Sequence, residues 1–128
     1  MTKVDIQAAI MLDLGRGATR LCRNPVATGF TGELIRTKAG FTVLKNARGA
    51  SFGLCAESSD VIGFRTIVIT PDMVGETVAV FIAIEVKAAG GRSSPEQRAF
   101  IQMAQQAGGL AGIARSVDEA PAIVDRLV

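Results

Sequence analysis

Thr77-Val78-Ala79-Val80-Phe81-Ile82-Ala83-Ile84-Glu85-Val86-Lys87 is the stretch on which the reading of the chain turns. Residues alternate in side along a strand, so Val78, Val80, Ile82, Ile84 and Val86 share one face. Thr77, Ala79, Phe81, Ala83, Glu85 and Lys87 share the other. Both faces stay mostly apolar until the last residues, the pattern of a central strand covered on both sides. The two charges at its end face the same way. A charge there costs several kcal/mol, on the order of a lost buried hydrogen bond or more, unless it is paired or bound to metal.

The segments around it follow. Residues 60–69 read as a preceding strand and Pro71 to Glu76 as a turn. If the two strands pair antiparallel, residue 60 falls opposite about residue 86, and Asp60 reaches the sheet end that holds Glu85 and Lys87. On the other side, Ser94, Pro95 and Gln97 have the spacing of an N-cap, a first helical residue and a capping-box partner. Phe100, Met103, Ala104 and Ala107 continue at helical period until Gly108-Gly109. Leu110 to Ala114 reads as a short buried strand, parallel to its neighbour because a helix makes the crossover. A last helix starts near Asp118, capped by Ser116 or Asp118, with Pro121 in its first turn.

Before the central strand, residues 3–15 read as a helix with a Thr2/Asp5 capping box. Residues 18–23 read as a short strand. Leu34–Thr37 and Phe41–Leu44 form a hairpin across Lys38-Ala39-Gly40. The expected fold is α/β: a restriction-endonuclease-like αβββαβ core with a mixed central sheet flanked by helices. At 128 residues one domain, 1–128, is expected. At 48% hydrophobic and 20% charged, the chain can bury a core. The longest apolar run, Val78 to Ile84, falls far short of the roughly 20 residues of a membrane span. No basic region leads into an apolar stretch with a cleavage site, so an intracellular location is expected.

Composition removes several chemistries. There is no histidine, and Cys22 and Cys55 have no CxxC partner. A Cys/His zinc site and the serine–histidine or cysteine–histidine nucleophile pairs are therefore excluded. The cysteines are expected to be reduced and buried. What remains is carboxylate, lysine and water. Two converging carboxylates suit a hard, oxygen-liking cation such as Mg²⁺ or Mn²⁺, with the Val86 carbonyl as a further ligand. Lys87 would orient water or neutralise charge on a phosphate. Glycoside hydrolysis is the other use of paired carboxylates, but Lys87 and the lack of Trp and Tyr argue against it.

Asp-(x)24-Glu-x-Lys resembles the PD-(D/E)XK nuclease superfamily. The longer strings Ser58-Ser59-Asp60-Val61-Ile62-Gly63, Ile84-Glu85-Val86-Lys87, Gly91-Arg92-Ser93-Ser94-Pro95-Glu96-Gln97 and Ala107-Gly108-Gly109 resemble the virus-type replication-repair nuclease domain, VRR-NUC. Arg23-Asn24 and Ala114-Arg115-Ser116 fit it as well. The likeness runs from about Asp5 to Asp125 and is to the stand-alone form found in phages and bacteria. It implies metal-dependent hydrolysis of DNA phosphodiesters by a homodimer acting on branched DNA such as four-way junctions. It implies Asp60, Glu85 and the Val86 carbonyl as metal ligands and Lys87 as the residue assisting water. The first-helix acid of many superfamily members is here Gln7, which brings no charge.

Other residues carry two readings each. Gln97 is an active-site helix residue or only a helix cap. Gln7 is a ligand to metal-bound water or a polar helix residue. Arg92 and Ser94 hold a phosphate at a helix N-terminus or only form a turn. Arg20, Arg23, Lys45 and Arg48 contact phosphates or are ordinary solvated charges. Two other functions fit the same fold: a DNA-binding module that does not cleave, and a structural subunit with no DNA affinity.

Overall fold

A computed structural model describes residues 1–127. The order of elements is α1 (Lys3–Leu14), β1 (Thr19–Arg23), β2 (Ala27–Arg36), β3 (Thr42–Phe52), β4 (Val61–Arg65), β5 (Ile82–Val86), α2 (Pro95–Gln106), β6 (Leu110–Ala114) and α3 (Ala120–Val124). The fold is mixed α/β, as expected. The chain divides into two compact units, Met1–Phe64 and Arg65–Val128, each described by itself.

In the first unit, Thr2 and Asp5 close the expected capping box on α1. The Thr2 donors hold the Asp5 carboxyl below its ordinary value. That contribution is complete above the usual carboxylate range and is lost as pH falls through the lowered value. β1 pairs with β4. The Asn24 N–H donates to the Asp60 carbonyl while Gly63 lies against Arg20 and Leu21, so the two segments run in opposite directions. Gly63 allows this approach, because any Cβ there would collide with the Arg20 carbonyl.

β2 and β3 form an antiparallel hairpin much longer than the alternating residues alone suggest. The register shifts between Thr31 and Glu33, where Asn46 takes a positive φ of 53° and supplies a bulge. Loose, glycine-rich sequence hid these strands. The strands are sustained by each other's ladder, not by a buried face: Phe30 and Leu34 remain 70% and 73% exposed.

In the second unit, β5 and β6 pair parallel, Glu85 beside Ile113 and Val86 beside Ala114. Helix α2 makes the crossover, as its caps predict. Its residue Ala104 joins Leu110, Ala111, Ala114 and Ile123 in the buried core. Ile123 of α3 reaches Gly112 so closely that a Cβ there would meet it at 2.9 Å. Helix α3 starts at Ala120 with Pro121 in its first turn, but its N-cap is Glu119, not Ser116 or Asp118. Ser116 still accepts the Glu119 N–H, and the Glu119 carboxylate accepts the Arg115 N–H.

Four further expectations change. The strands at 60–69 and 77–87 shorten to Val61–Arg65 and Ile82–Val86, and a 3-10 turn, Pro71–Met73, lies between them. Hydrophobic alternation marks which residues could lie in a strand, whereas a ladder also needs a partner at each position. The antiparallel pairing expected between these two strands is not among the pairings of the described residues, where β4 joins β1 and β5 joins β6. β5 is not covered on both faces: Ile82, Ile84 and Val86 are exposed, while Ala83, Glu85 and Lys87 are half-buried. Cys22 and Cys55 are free but exposed, not buried.

Candidate active site

The strand's alternation puts Glu85 and Lys87 on the half-buried face of β5. Lys87 Nζ lies 2.9 Å from Glu85 Oε1, with the two side chains 21% and 29% exposed. Enclosure adds a desolvation cost to the pair, so its net worth need not exceed that of a surface ion pair, about 0–1 kcal/mol, but removing one partner would strand a half-buried charge. The same Oε1 accepts a hydrogen bond from Gln97 Nε2 at 2.6 Å. Oε2 has no partner among the described residues.

Gln97 closes the capping box and reaches Glu85 at the same time. Its Oε1 accepts the Ser94 N–H at 2.9 Å, and Ser94 Oγ accepts the Gln97 N–H at 3.0 Å. The cap consumes the amide oxygen, so the amide nitrogen is the atom left to face Glu85. Helix capping thereby fixes which end of Gln97 meets the carboxylate. Ala83, Ile84, Phe100 and Ile101 line a cavity of about 210 Å³ with Glu85 and Gln97 at its polar end.

Ser94 belongs to this cluster as a cap. Arg92 is exposed on the preceding loop, and Arg115 donates to the Gly91 carbonyl at 3.0 Å, tying that loop to the end of β6. Sequence reasoning gave Arg115 no such role, since its partner lies 24 positions away.

Asp60 belongs to the first unit, where it stands just before β4. Lys3 Nζ donates to its Oδ1 at 3.0 Å. Its backbone carbonyl accepts from Gln7 Nε2 at 3.1 Å and from the Asn24 N–H at 2.9 Å. Lys3 and Gln7, four apart on α1, thus hold side chain and backbone of one residue. Gln7 positions Asp60 through its backbone, a use the sequence reading did not foresee. Asp60 Oδ2 has no partner among the described residues.

Asn24, only 5% exposed, fixes the loop that carries Asp60. Its Oδ1 accepts the Leu54 N–H, and its Nδ2 donates to Ser58 Oγ and the Ser59 carbonyl. Every polar group of this buried amide that can bond does so. The resemblance had singled out Arg23-Asn24, but no local pattern announces the clamp.

The basic residues divide. Arg20 spends a guanidinium nitrogen on the Gly17 and Thr19 carbonyls. Arg23 is exposed next to β1's end. Lys45 and Arg48 are exposed on β3, opposite Glu33 and Thr31.

The family model for the VRR-NUC domain matches residues 37–118, nearly two thirds of the chain. The chain belongs to the VRR-NUC domain family. The comparison with curated proteins gave no match, and neither did the comparison with solved structures. VRR-NUC is a nuclease family whose substrate class is DNA. The matched span of this VRR-NUC domain includes Asp60, Glu85, Val86, Lys87, Ser94 and Gln97. It leaves out Gln7, Arg20, Arg23 and Asn24. No helix among the described residues is long and apolar enough to cross a membrane.

Proposed function

We propose that this chain is a single-domain, metal-dependent DNA endonuclease that acts in the cell as a homodimer on branched DNA such as four-way junctions. The observation that carries the catalytic part is the Lys87–Glu85–Gln97 cluster, which among the described residues leaves one oxygen of a half-buried carboxylate unengaged. The homodimer, the junction preference and the link to phages and bacteria rest on the resemblance stated above.

The residues fit a hard cation. Glu85 and Asp60 each hold one carboxylate oxygen without a partner among the described residues, and both are anionic oxygen donors of the kind Mg²⁺ and Mn²⁺ prefer. Among the described residues no three His, Cys, Asp or Glu gather in one place. The resemblance, not a gathering of ligands in the fold, is what names Asp60, Glu85 and the Val86 carbonyl as the ligand set, completed by solvent. When bound, the cation supplies Lewis acidity toward a phosphoryl oxygen and lowers the pKa of water. Lys87 then stands beside Glu85 to neutralise negative charge developing on the phosphate. Gln97 holds Glu85 in place and is a positioning residue, while Lys3 and Gln7 do the same for Asp60. Arg20, Arg23, Lys45, Arg48 and Arg92, with Ser94 at the helix start, are the proposed phosphate contacts.

Linear, flap and four-way DNA incubated with Mg²⁺ or Mn²⁺ test this reading. Cleavage is expected with branched substrates favoured, and Asp60→Ala is expected to abolish it. Undiminished cleavage by Asp60→Ala would remove that residue from the centre. Tight binding with no cleavage under either metal would identify a non-catalytic module.

Gln97→Glu separates cap from site. Glutamate at this position keeps the capping box but sets a second negative charge against Glu85. The melting temperature is expected to fall by roughly 5 °C, from the lost hydrogen bond to Glu85 and the new repulsion, since the capping box itself is kept. Cleavage is expected to fall about 10- to 100-fold, the usual loss when the support of a ligand is disturbed. Single-turnover rates and thermal melts on the same preparations check both.

A further inference from the structure

We infer that the tip of the β2–β3 hairpin is an aromatic wedge that stacks on unpaired bases at a DNA branch point, with Phe41 as the stacking residue. The inference rests on the DNA reading above and adds a recognition element to it.

Charge is the first observation. Residues 27–52 contain Arg36, Lys38, Lys45 and Arg48 against the single acid Glu33, a net charge of +3. The whole chain carries only +2, so the remainder is net −1. The net positive charge of the protein therefore lies on this hairpin, where acids are scarce, and its complement is a polyanion.

The tip is the second. Three hydrogen bonds close it around Thr37. Its N–H donates to the Phe41 carbonyl at 2.7 Å, its carbonyl accepts the Gly40 N–H at 3.0 Å, and its hydroxyl accepts the Phe41 N–H at 3.1 Å. Gly40 permits the turn through its φ of 87°. This closure holds the Phe41 backbone in place, while its ring is 69% exposed. Phe30 and Leu34 are as exposed, at 70% and 73%, but Phe41 is the exposed aromatic residue held at the closed tip. Arg36 and Lys38 stand on either side of Thr37, both within five residues before Phe41.

Aromatic side chains set among cations are how proteins hold unstacked bases: the ring takes the base face and the cations take the flanking phosphates. Paired duplex offers no free base face, whereas a branch point or frayed arm does. Phe41 would thus favour branched over linear DNA without reading sequence.

The test uses the full chain in EDTA, at about 50 mM salt where phosphate contacts are strong. The probe is a four-way junction with 2-aminopurine at the branch, beside a linear duplex of the same sequence. Wild-type protein is expected to change the 2-aminopurine fluorescence on binding. Phe41→Ala is expected to lose that change and to weaken junction binding about tenfold, the scale of one lost base–aromatic stack, with duplex affinity unchanged. Phe41→Trp is expected to restore both. Thr37→Val, which keeps the ring but removes the hydroxyl that accepts the Phe41 N–H, is expected to fall between.

Junction binding and fluorescence change intact in Phe41→Ala would overturn the wedge and leave the DNA reading standing. A wild-type protein that binds neither DNA would overturn both. Loss of junction binding accompanied by a shift in sedimentation from dimer to monomer would overturn the wedge and make the tip a contact between copies.

Discussion

Replacing Glu85 with glutamine is expected to lower DNA cleavage on the order of 10³-fold, the scale of losing one preorganised electrostatic group at a reacting centre. The substitution changes one atom's worth of shape. It removes the charge that Lys87 Nζ meets at 2.9 Å and that Gln97 Nε2 meets at 2.6 Å. Lys87 then becomes a half-enclosed ammonium without its partner, and the oxygen left for a cation belongs to a neutral amide. Calorimetric titration with Mn²⁺ is expected to show affinity falling in parallel with rate. The fold should survive, because the core of the second unit lies at Ala104, Leu110, Ala111, Ala114 and Ile123, not at Glu85. A Glu85→Gln protein with a tenth or more of the wild-type rate would take Glu85 out of the chemistry.

The largest loss of stability is expected from Asn24→Ala. The change removes a buried amide that accepts one hydrogen bond and donates two. It leaves the Leu54 N–H and the Ser59 carbonyl without their partner in a part-buried loop. Each group stranded in this way costs about 1–3 kcal/mol, so a total of about 2–4 kcal/mol is expected. For a chain of this size that lowers the melting temperature by roughly 10 °C. Because the Asn24 N–H and side chain hold residues 58–60, cleavage by the folded fraction is expected to fall as well. Asn24→Asp is the sharper control. It keeps the acceptor for Leu54 but cannot donate, so it should lose the Ser58 and Ser59 bonds alone. Thermal melts of the three proteins rank them, and equal melting temperatures would deny Asn24 its part as a clamp.

The parts of this molecule that were legible in the sequence are those fixed over three or four residues. Thr2 with Asp5, and Ser94 with Gln97, announce helix starts because a capping box is local chemistry, and both form as the spacing predicts. The parallel pairing of β5 with β6 followed from a helical crossover. The turn at Lys38-Ala39-Gly40 was also readable, although the strands it joins run on to Ala27 and Phe52.

What could not be read depends on partners far along the chain. Asn24 meets residues 30 to 35 positions away, and Lys3 meets Asp60 across 57. No local pattern encodes either. Strand length failed for the same reason: apolar alternation across 77–87 is compatible with a ladder, but the ladder extends only over Ile82–Val86, where β6 supplies a partner. Glu85 and Lys87 stand out by charge at the end of an apolar strand, where a plain Glu–Lys ion pair is the other reading, and the pair does form, half-enclosed rather than fully exposed. That Gln97 caps the helix and also reaches Glu85 is not legible from spacing, which sets cap and Glu85 contact against each other. An amide has two ends, and this one uses both.

The central claim is that this VRR-NUC domain hydrolyses DNA with a cation held at Glu85. The most direct test is end-labelled four-way DNA incubated with purified protein in EDTA, and again after Mg²⁺ or Mn²⁺ is added in excess. The account predicts intact DNA in EDTA and discrete cleavage products on metal addition, with none from Glu85→Gln. Cleavage that persists in EDTA, or that Glu85→Gln performs as well as wild type, would contradict it.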